Sequence, residues 1–295
     1  MADSSALAQL LLENGPLKLT LLPDLGGSVG ALTYQGEDVL RPVSSGADLS
    51  PLQSGGFPLF PFSGRISAAR FAWHDRDVAL EPNFPPEVHA IHGQAWQAAW
   101  TVAERSATEA RLVFDYAPGR WPWPYRAEQN FRLLEDGLEL TLSLTNHSDE
   151  LMPAGLGWHP YFPRQDARVK VAVDRIWKAE AGMIPDQLLA PSAEEDLTSW
   201  RVVDTLDLDN AFTVSAPDAA MDWPGRRLRV RMTSDAALGH VVVYAPPGQD
   251  FFCVEPVSHA PDAVNSKHPA DVTGLKSLSP GETFLAKISL KINAV

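Results

Sequence analysis

The sequence predicts an all-β protein, and three observations carry that expectation. Its 25 prolines and 20 glycines are spread along the whole chain. Between them lie short runs that alternate apolar with polar residues or are enriched in β-branched ones. Good amphipathic helices are scarce, with Ala6 to Leu12 the main candidate, so few and short helices are expected. A length of 295 residues suits one large all-β domain or two ordinary ones. No internal repeat, low-complexity segment or linker divides the chain, so a single domain over residues 1–295 is expected.

Taken in order, Leu17 to Leu22 alternates, Pro23-Asp24-Leu25-Gly26-Gly27 turns the chain, and Ser28 to Tyr34 completes a hairpin. Gly36-Glu37-Asp38 turns it again before Val39-Leu40-Arg41-Pro42. From Gly55 to Gly64 two prolines and three glycines predict a loop pinned by aromatics, neither a long helix nor a central strand. Phe71 to Leu80 resumes alternation. Trp100 to Val102 and Ala110 to Tyr116 read as a strand pair. Trp121-Pro122-Trp123-Pro124-Tyr125 must be extended, its rings serving as core filler or as a platform for a sugar face. Phe131 to Leu134 and Leu138 to Leu144 flank the turn Glu135-Asp136-Gly137. Val169 to Val173, Leu228 to Met232, His240 to Ala245, Phe251 to Val254 and Thr283 to Ile292 supply further strands. Between about 178 and 205 the chain is loop-like, with Glu194-Glu195-Asp196 reading as a solvated face.

Charge narrows the function. A net charge of −13, from 24 basic and 37 acidic side chains, argues against nucleic acid or an anionic membrane as partner and suits a small neutral ligand. The one cysteine, Cys253, excludes an intrachain disulfide and a cysteine metal cluster, which fits a reducing cytoplasm. The short apolar stretch Leu7 to Leu12 lacks a basic leader, and no run has the length of a transmembrane helix.

Several side chains invite a chemical reading. Phe251-Phe252-Cys253-Val254-Glu255-Pro256 reads as a buried strand that ends in a carboxylate where the proline stops it. An ionised Glu255 there is costly unless paired or held protonated; alone, it also reads as a carboxylate that has reached the surface. His159 lies between Trp158 and Pro160, either a hydrogen-bonded core histidine or, opposite Glu255, an acid paired to a base. Arg65, at the end of the stiff 55–64 segment, reads equally as structural or ligand-binding. His89 and His92 have a metal-ligand spacing, but no second ligand pair accompanies them, so no metal is expected. His92, backed by Gly93, is the better candidate for ligand contact. Asp207 and Asp209 would share one side of a strand, and Asp209 is the choice as ligand holder.

Gly64-Arg65-Ile66, His92-Gly93, His159-Pro160-Tyr161-Phe162, Asp209 before Phe212, and Val254-Glu255-Pro256 occur in an order and approximate spacing that resembles the aldose 1-epimerase (galactose mutarotase-like) family. The resemblance runs from about Leu17 to the C-terminus. It implies a large antiparallel β-sandwich, interconversion of the α and β anomers of free aldoses, and no cofactor. Residue by residue, it implies Glu255 as general base, His159 as general acid, and Arg65, His92 and Asp209 as holders of sugar hydroxyls. The partner implied is a small sugar, in a protein that is a monomer or homodimer.

The chain also departs from the pattern. Trp158 stands where the best-known galactose mutarotases carry asparagine, and Val257-Ser258-His259 follows where glutamine is common, which also resembles glucose-6-phosphate 1-epimerases. A hexose-6-phosphate 1-epimerase would need a cationic pocket, for which Arg65, Arg70 and Arg126 are the candidates. A non-catalytic carbohydrate-binding protein is the alternative from another class. A glycosidase needs two carboxylates, and only Asp209 would partner Glu255.

Overall fold

The computed structural model describes residues 8–44, 49–179 and 184–294. Two large sheets, of 11 and 9 strands and each antiparallel throughout, pack face to face as a β-sandwich. The expected hairpins are present. Leu17–Leu22 pairs with Ser28–Tyr34, and Tyr125–Leu133 with Gly137–Asn146. Alternation decides what each strand buries. Leu138, Leu140, Leu142 and Leu144 point into the layer between the sheets, where they meet Trp158, Phe162, Val241, Val243 and Phe252. Each such leucine contributes about 1.5–3 kcal/mol when fully buried. Trp121, Trp123 and Tyr125 lie in the same layer and fill the core; they form no sugar platform.

Helices are as few as expected: one α-helix, Ala270–Thr273, and short 3-10 turns among the described residues. None of them is long and apolar enough to cross a membrane. The expected helix from Ala6 to Leu12 does not form over its described part. Ala6 and Leu7 lie outside the described residues, while Leu10–Asn14 is a strand with Leu10 and Leu12 buried and Leu11 exposed. That burial has period two, and pairing with Leu17–Leu22 satisfies the backbone.

Two further expectations need correcting, both about proline. Gly56–Leu59 is not a loop but a strand inside the larger sheet, paired with Gly157–Pro163 from Leu59–Gly157 to Gly56–Pro160. On its other flank, ladder pairing with Ser28–Tyr34 is confined to Gly56–Val29. Pro58 is therefore accommodated as in an edge strand. Similarly, Pro256 does not stop its strand, which runs Phe251–Val257.

Candidate active site

The strands Gly157–Pro163 and Phe251–Val257 lie side by side, yet their ladder opens midway. Gly157 pairs with Val257, and Tyr161, Phe162 and Pro163 pair with Cys253, Phe252 and Phe251. Between these pairs, Trp158-His159-Pro160 faces Val254-Glu255-Pro256. A proline on each side removes a backbone donor, so an open ladder here leaves fewer unsatisfied groups. The register is the same on both sides of the opening, which sets His159 directly opposite Glu255. Their side chains meet at 3.3 Å, Nε2 to Oε1. Glu255 is 2% exposed and His159 7%, so the carboxylate has not reached the surface at the strand end.

Directly opposed residues share a sheet face. Register therefore carries two rows across the larger sheet, Phe57, His159, Glu255, Val242 and Ala211 in one and Tyr161, Cys253, Tyr244 and Asp209 in the other. All of these but Phe57 and Cys253 line the floor of a cavity of about 510 Å3 on the face turned away from the smaller sheet. Arg65, His92, His159, Asp209 and Glu255, the five residues singled out from the sequence, all line it.

A short ladder brings two of them together. Arg65–Ile66 pairs with Ala90–Ile91, so Arg65 stands opposite Ile91 and beside His92. The Arg65 guanidinium donates from Nη2 to Glu87 at 3.2 Å. His92 has a positive φ of 60°. Its amide donates to the Gly64 carbonyl at 2.9 Å, and its Nδ1 accepts from the Gly64 amide at 3.1 Å. Nδ1 being an acceptor, the imidazole proton sits on Nε2. Gly93 is needed because a Cβ there would lie 1.9 Å from the Phe60 carbonyl oxygen. The close approach is thus to Phe60, not to a ligand.

The environment of the central pair is apolar and aromatic. The His159 ring is stacked between Phe57 at 4.6 Å and Tyr161 at 4.7 Å, and the Arg41 guanidinium lies 4.1 Å from the Tyr161 ring centre. Burial pushes His159 down to about 3, against a pull from its own backbone and with a smaller push from Arg41. Burial raises Glu255 well above the usual carboxylate range, with Asp209 adding and Arg65 opposing. Both directions are set by burial and favour a neutral imidazole beside a protonated carboxyl. Asp209 is reached by solvent through the cavity mouth, but its walls still raise the carboxyl, with Arg65 opposing and Glu87 adding.

Other expectations fare differently. Arg70 and Arg126 do not line the cavity: Arg70 lies 3.8 Å from Asp77 on a small hairpin, and Arg126 bonds Asp115 at 2.7 Å. Asp207 precedes the strand Leu208–Thr213 and does not line the cavity either. His89 accepts from the Ala68 amide at 3.1 Å away from the lining. Glu195 is not simply solvated, since it pairs with Lys178 at 2.6 Å on the cavity wall. Sequence reasoning missed Glu87, Lys178, Trp177 and Tyr244. Only Tyr244 had a readable signal, its place on an expected strand, and its face needed the register.

Comparison with known proteins agrees with this architecture. The aldose 1-epimerase family matches residues 9–291. The uncharacterized protein YphB of Escherichia coli K12 is 30% identical over 290 residues, 95% of this chain and 97% of that protein. A crystal structure of a proposed aldose 1-epimerase from the same organism superposes with a TM-score of 0.87 at 28% identity, covering 98% of this chain and 99% of that one. A galactose mutarotase-like protein from Clostridium acetobutylicum shares the fold, with a TM-score of 0.89 at 23% identity over 97% and 95% of the two chains. With a match over nearly its whole length, the chain belongs to the aldose 1-epimerase family.

Proposed function

We propose that the protein is a cofactor-independent aldose 1-epimerase that interconverts the α and β anomers of a free, neutral monosaccharide. The observation that carries this reading is the 3.3 Å approach of His159 Nε2 and Glu255 Oε1 on the floor of a sugar-sized cavity. Opening a hemiacetal requires the C1 hydroxyl to lose a proton while the ring oxygen gains one as the C1–O5 bond breaks. Both oxygens are attached to C1, so two adjacent groups, each about 3 Å from its target, can serve them. In this assignment Glu255 takes the hydroxyl proton and His159 protonates the ring oxygen. The proton that rests on the carboxyl crosses to the imidazole as the sugar docks. Rotation about C1–C2 then presents the other carbonyl face, and closure returns both protons. Arg65, His92 through its Nε2 proton, and Asp209 hold the remaining hydroxyls.

A neutral substrate is favoured over a hexose phosphate by the charges of the lining. Among the described residues its two cations are already matched, Arg65 by Glu87 and Lys178 by Glu195, and Asp209 adds a further carboxyl group. A phosphate would enter a cavity with no surplus positive charge.

Polarimetry or NMR of freshly dissolved α-D-glucose and α-D-galactose tests the proposal, with Glu255→Gln and His159→Asn as controls. Acceleration by the parent protein and not by the variants is expected. Equilibration at the buffer rate across several sugars sinks the enzyme reading, and calorimetric binding without acceleration would replace it with a carbohydrate-binding protein.

A further inference from the structure

We propose that His159 Nε2, Cys253 Sγ and a Glu255 carboxylate oxygen form a three-ligand site for a zinc-like divalent cation at the cavity floor, where His159 and Glu255 line the cavity and Cys253 lies buried beneath it. The three ligand atoms lie within 4.8 Å of one another. Sheet geometry puts them there. Cys253 and Glu255 are two residues apart on one strand and so share its face, and His159 stands opposite Glu255. The 3.3 Å separation of Nε2 and Oε1 matches the edge of a zinc tetrahedron, roughly 3.4 Å for bonds of about 2.0–2.1 Å. With a zinc–sulfur bond of about 2.3 Å the thiolate must come to roughly 3.6 Å from each partner, which takes rotation of the Cys253 side chain toward His159 and of Glu255 toward both.

Donor chemistry selects the ion. Nitrogen, sulfur and oxygen together suit zinc, whereas magnesium and calcium want six or more oxygens. A dication held by one thiolate, one carboxylate and a neutral imidazole has no net charge, which suits a site where Cys253 is 0% exposed. Two of the three ligands, His159 and Glu255, line the cavity, so an ion held there would be reached from the cavity side, as in zinc sites that keep an exchangeable ligand. If the proposed function holds, the ion occupies both proton-transfer groups, so zinc blocks turnover and competes with the sugar.

The full-length protein, stripped with a chelator, is titrated with Co2+ as a coloured surrogate and then with Zn2+. A near-ultraviolet thiolate-to-cobalt band is expected, bleached by Zn2+. Cys253 is the sole cysteine, so the band has a single possible source. In Cys253→Ser the band disappears and calorimetric zinc affinity falls at least about tenfold, with Cys253→Ala as the second variant should the first fold poorly. Absence of the band in the parent protein at saturating Co2+, or an unchanged zinc isotherm in both variants, overturns the site. These readouts need no sugar turnover, so they decide the metal site even if the anomerase assay is negative.

Discussion

The two sheets of the sandwich turn opposite outer faces to their surroundings. The smaller sheet's outer face is laced with cross-strand ion pairs: Arg126 with Asp115 at 2.7 Å, Arg111 with Glu128 at 3.0 Å, Arg231 with Asp218 at 2.6 Å. The larger sheet's outer face carries Phe57, Tyr161, Cys253 and Val257, covered by loops, and embeds His159, Glu255 and His240 among them. Titratable groups at the water-facing surface are held charged by their partners, as Arg126 holds Asp115 below the usual carboxylate range. Those sunk into an apolar face have their proton affinities moved by burial, and that is where proton-transfer chemistry becomes possible near neutrality.

The sharpest way to break this contrast is Glu255→Gln, which removes the proton-accepting oxygen and keeps the shape. Anomer interconversion should fall by about 10²–10⁴-fold, as for loss of a general acid or base, read by polarimetry; an unchanged rate would place the chemistry elsewhere. Next comes Trp158→Ala. Trp158 faces the inter-sheet core one residue from His159, and its truncation should cost about 3–5 kcal/mol in denaturant unfolding. A loss of activity without that loss of stability would mean the tryptophan serves the cavity instead.

A subtler difference is expected with pH. The His240 ring is buried, and burial, aided by His259 and opposed by the Ser258 backbone, lowers the imidazole to about 4 from an ordinary 6.5. With the folded value below the unfolded one, the stability it contributes is complete above pH 6.5 and lost as pH falls toward 4. The midpoint of thermal unfolding should decline across that window, and less steeply in His240→Phe; parallel curves would show that His240 titrates normally. The smallest effect belongs to the other face. Arg126→Ala should change stability by about 1 kcal/mol or less and leave anomer exchange and any inhibition by phosphate untouched; a large effect on either would erase the distinction between the faces.

Much of this was legible in the chain. Alternation in Leu138 to Leu144 marks a half-buried strand because a pleated backbone has a period of two. Glu255 and His159 stand out because carboxyl and imidazole groups in aromatic runs need a reason to be there. What proline does was not legible. Pro58 and Pro256 read as breakers, yet each lies in a strand at a place where its neighbour asks for no donor, a fact of the partner strand rather than of the proline itself. Nor could Glu87, Lys178 or Trp177 be found, since a loop carries Glu87 to Arg65 and another strand carries Trp177 and Lys178 to the wall.

The sequence alone determined the fold class and nominated the candidate site side chains, because strand periodicity and the cost of burying polar groups are local properties of the chain. Which of those side chains meet was decided only by the tertiary structure. A register constant across an open ladder sets His159 against Glu255, a two-residue ladder carries Arg65 to His92, and adjacent strands lay Tyr244 and Asp209 along one row. Register is a relation between distant segments, and no window of sequence contains both partners.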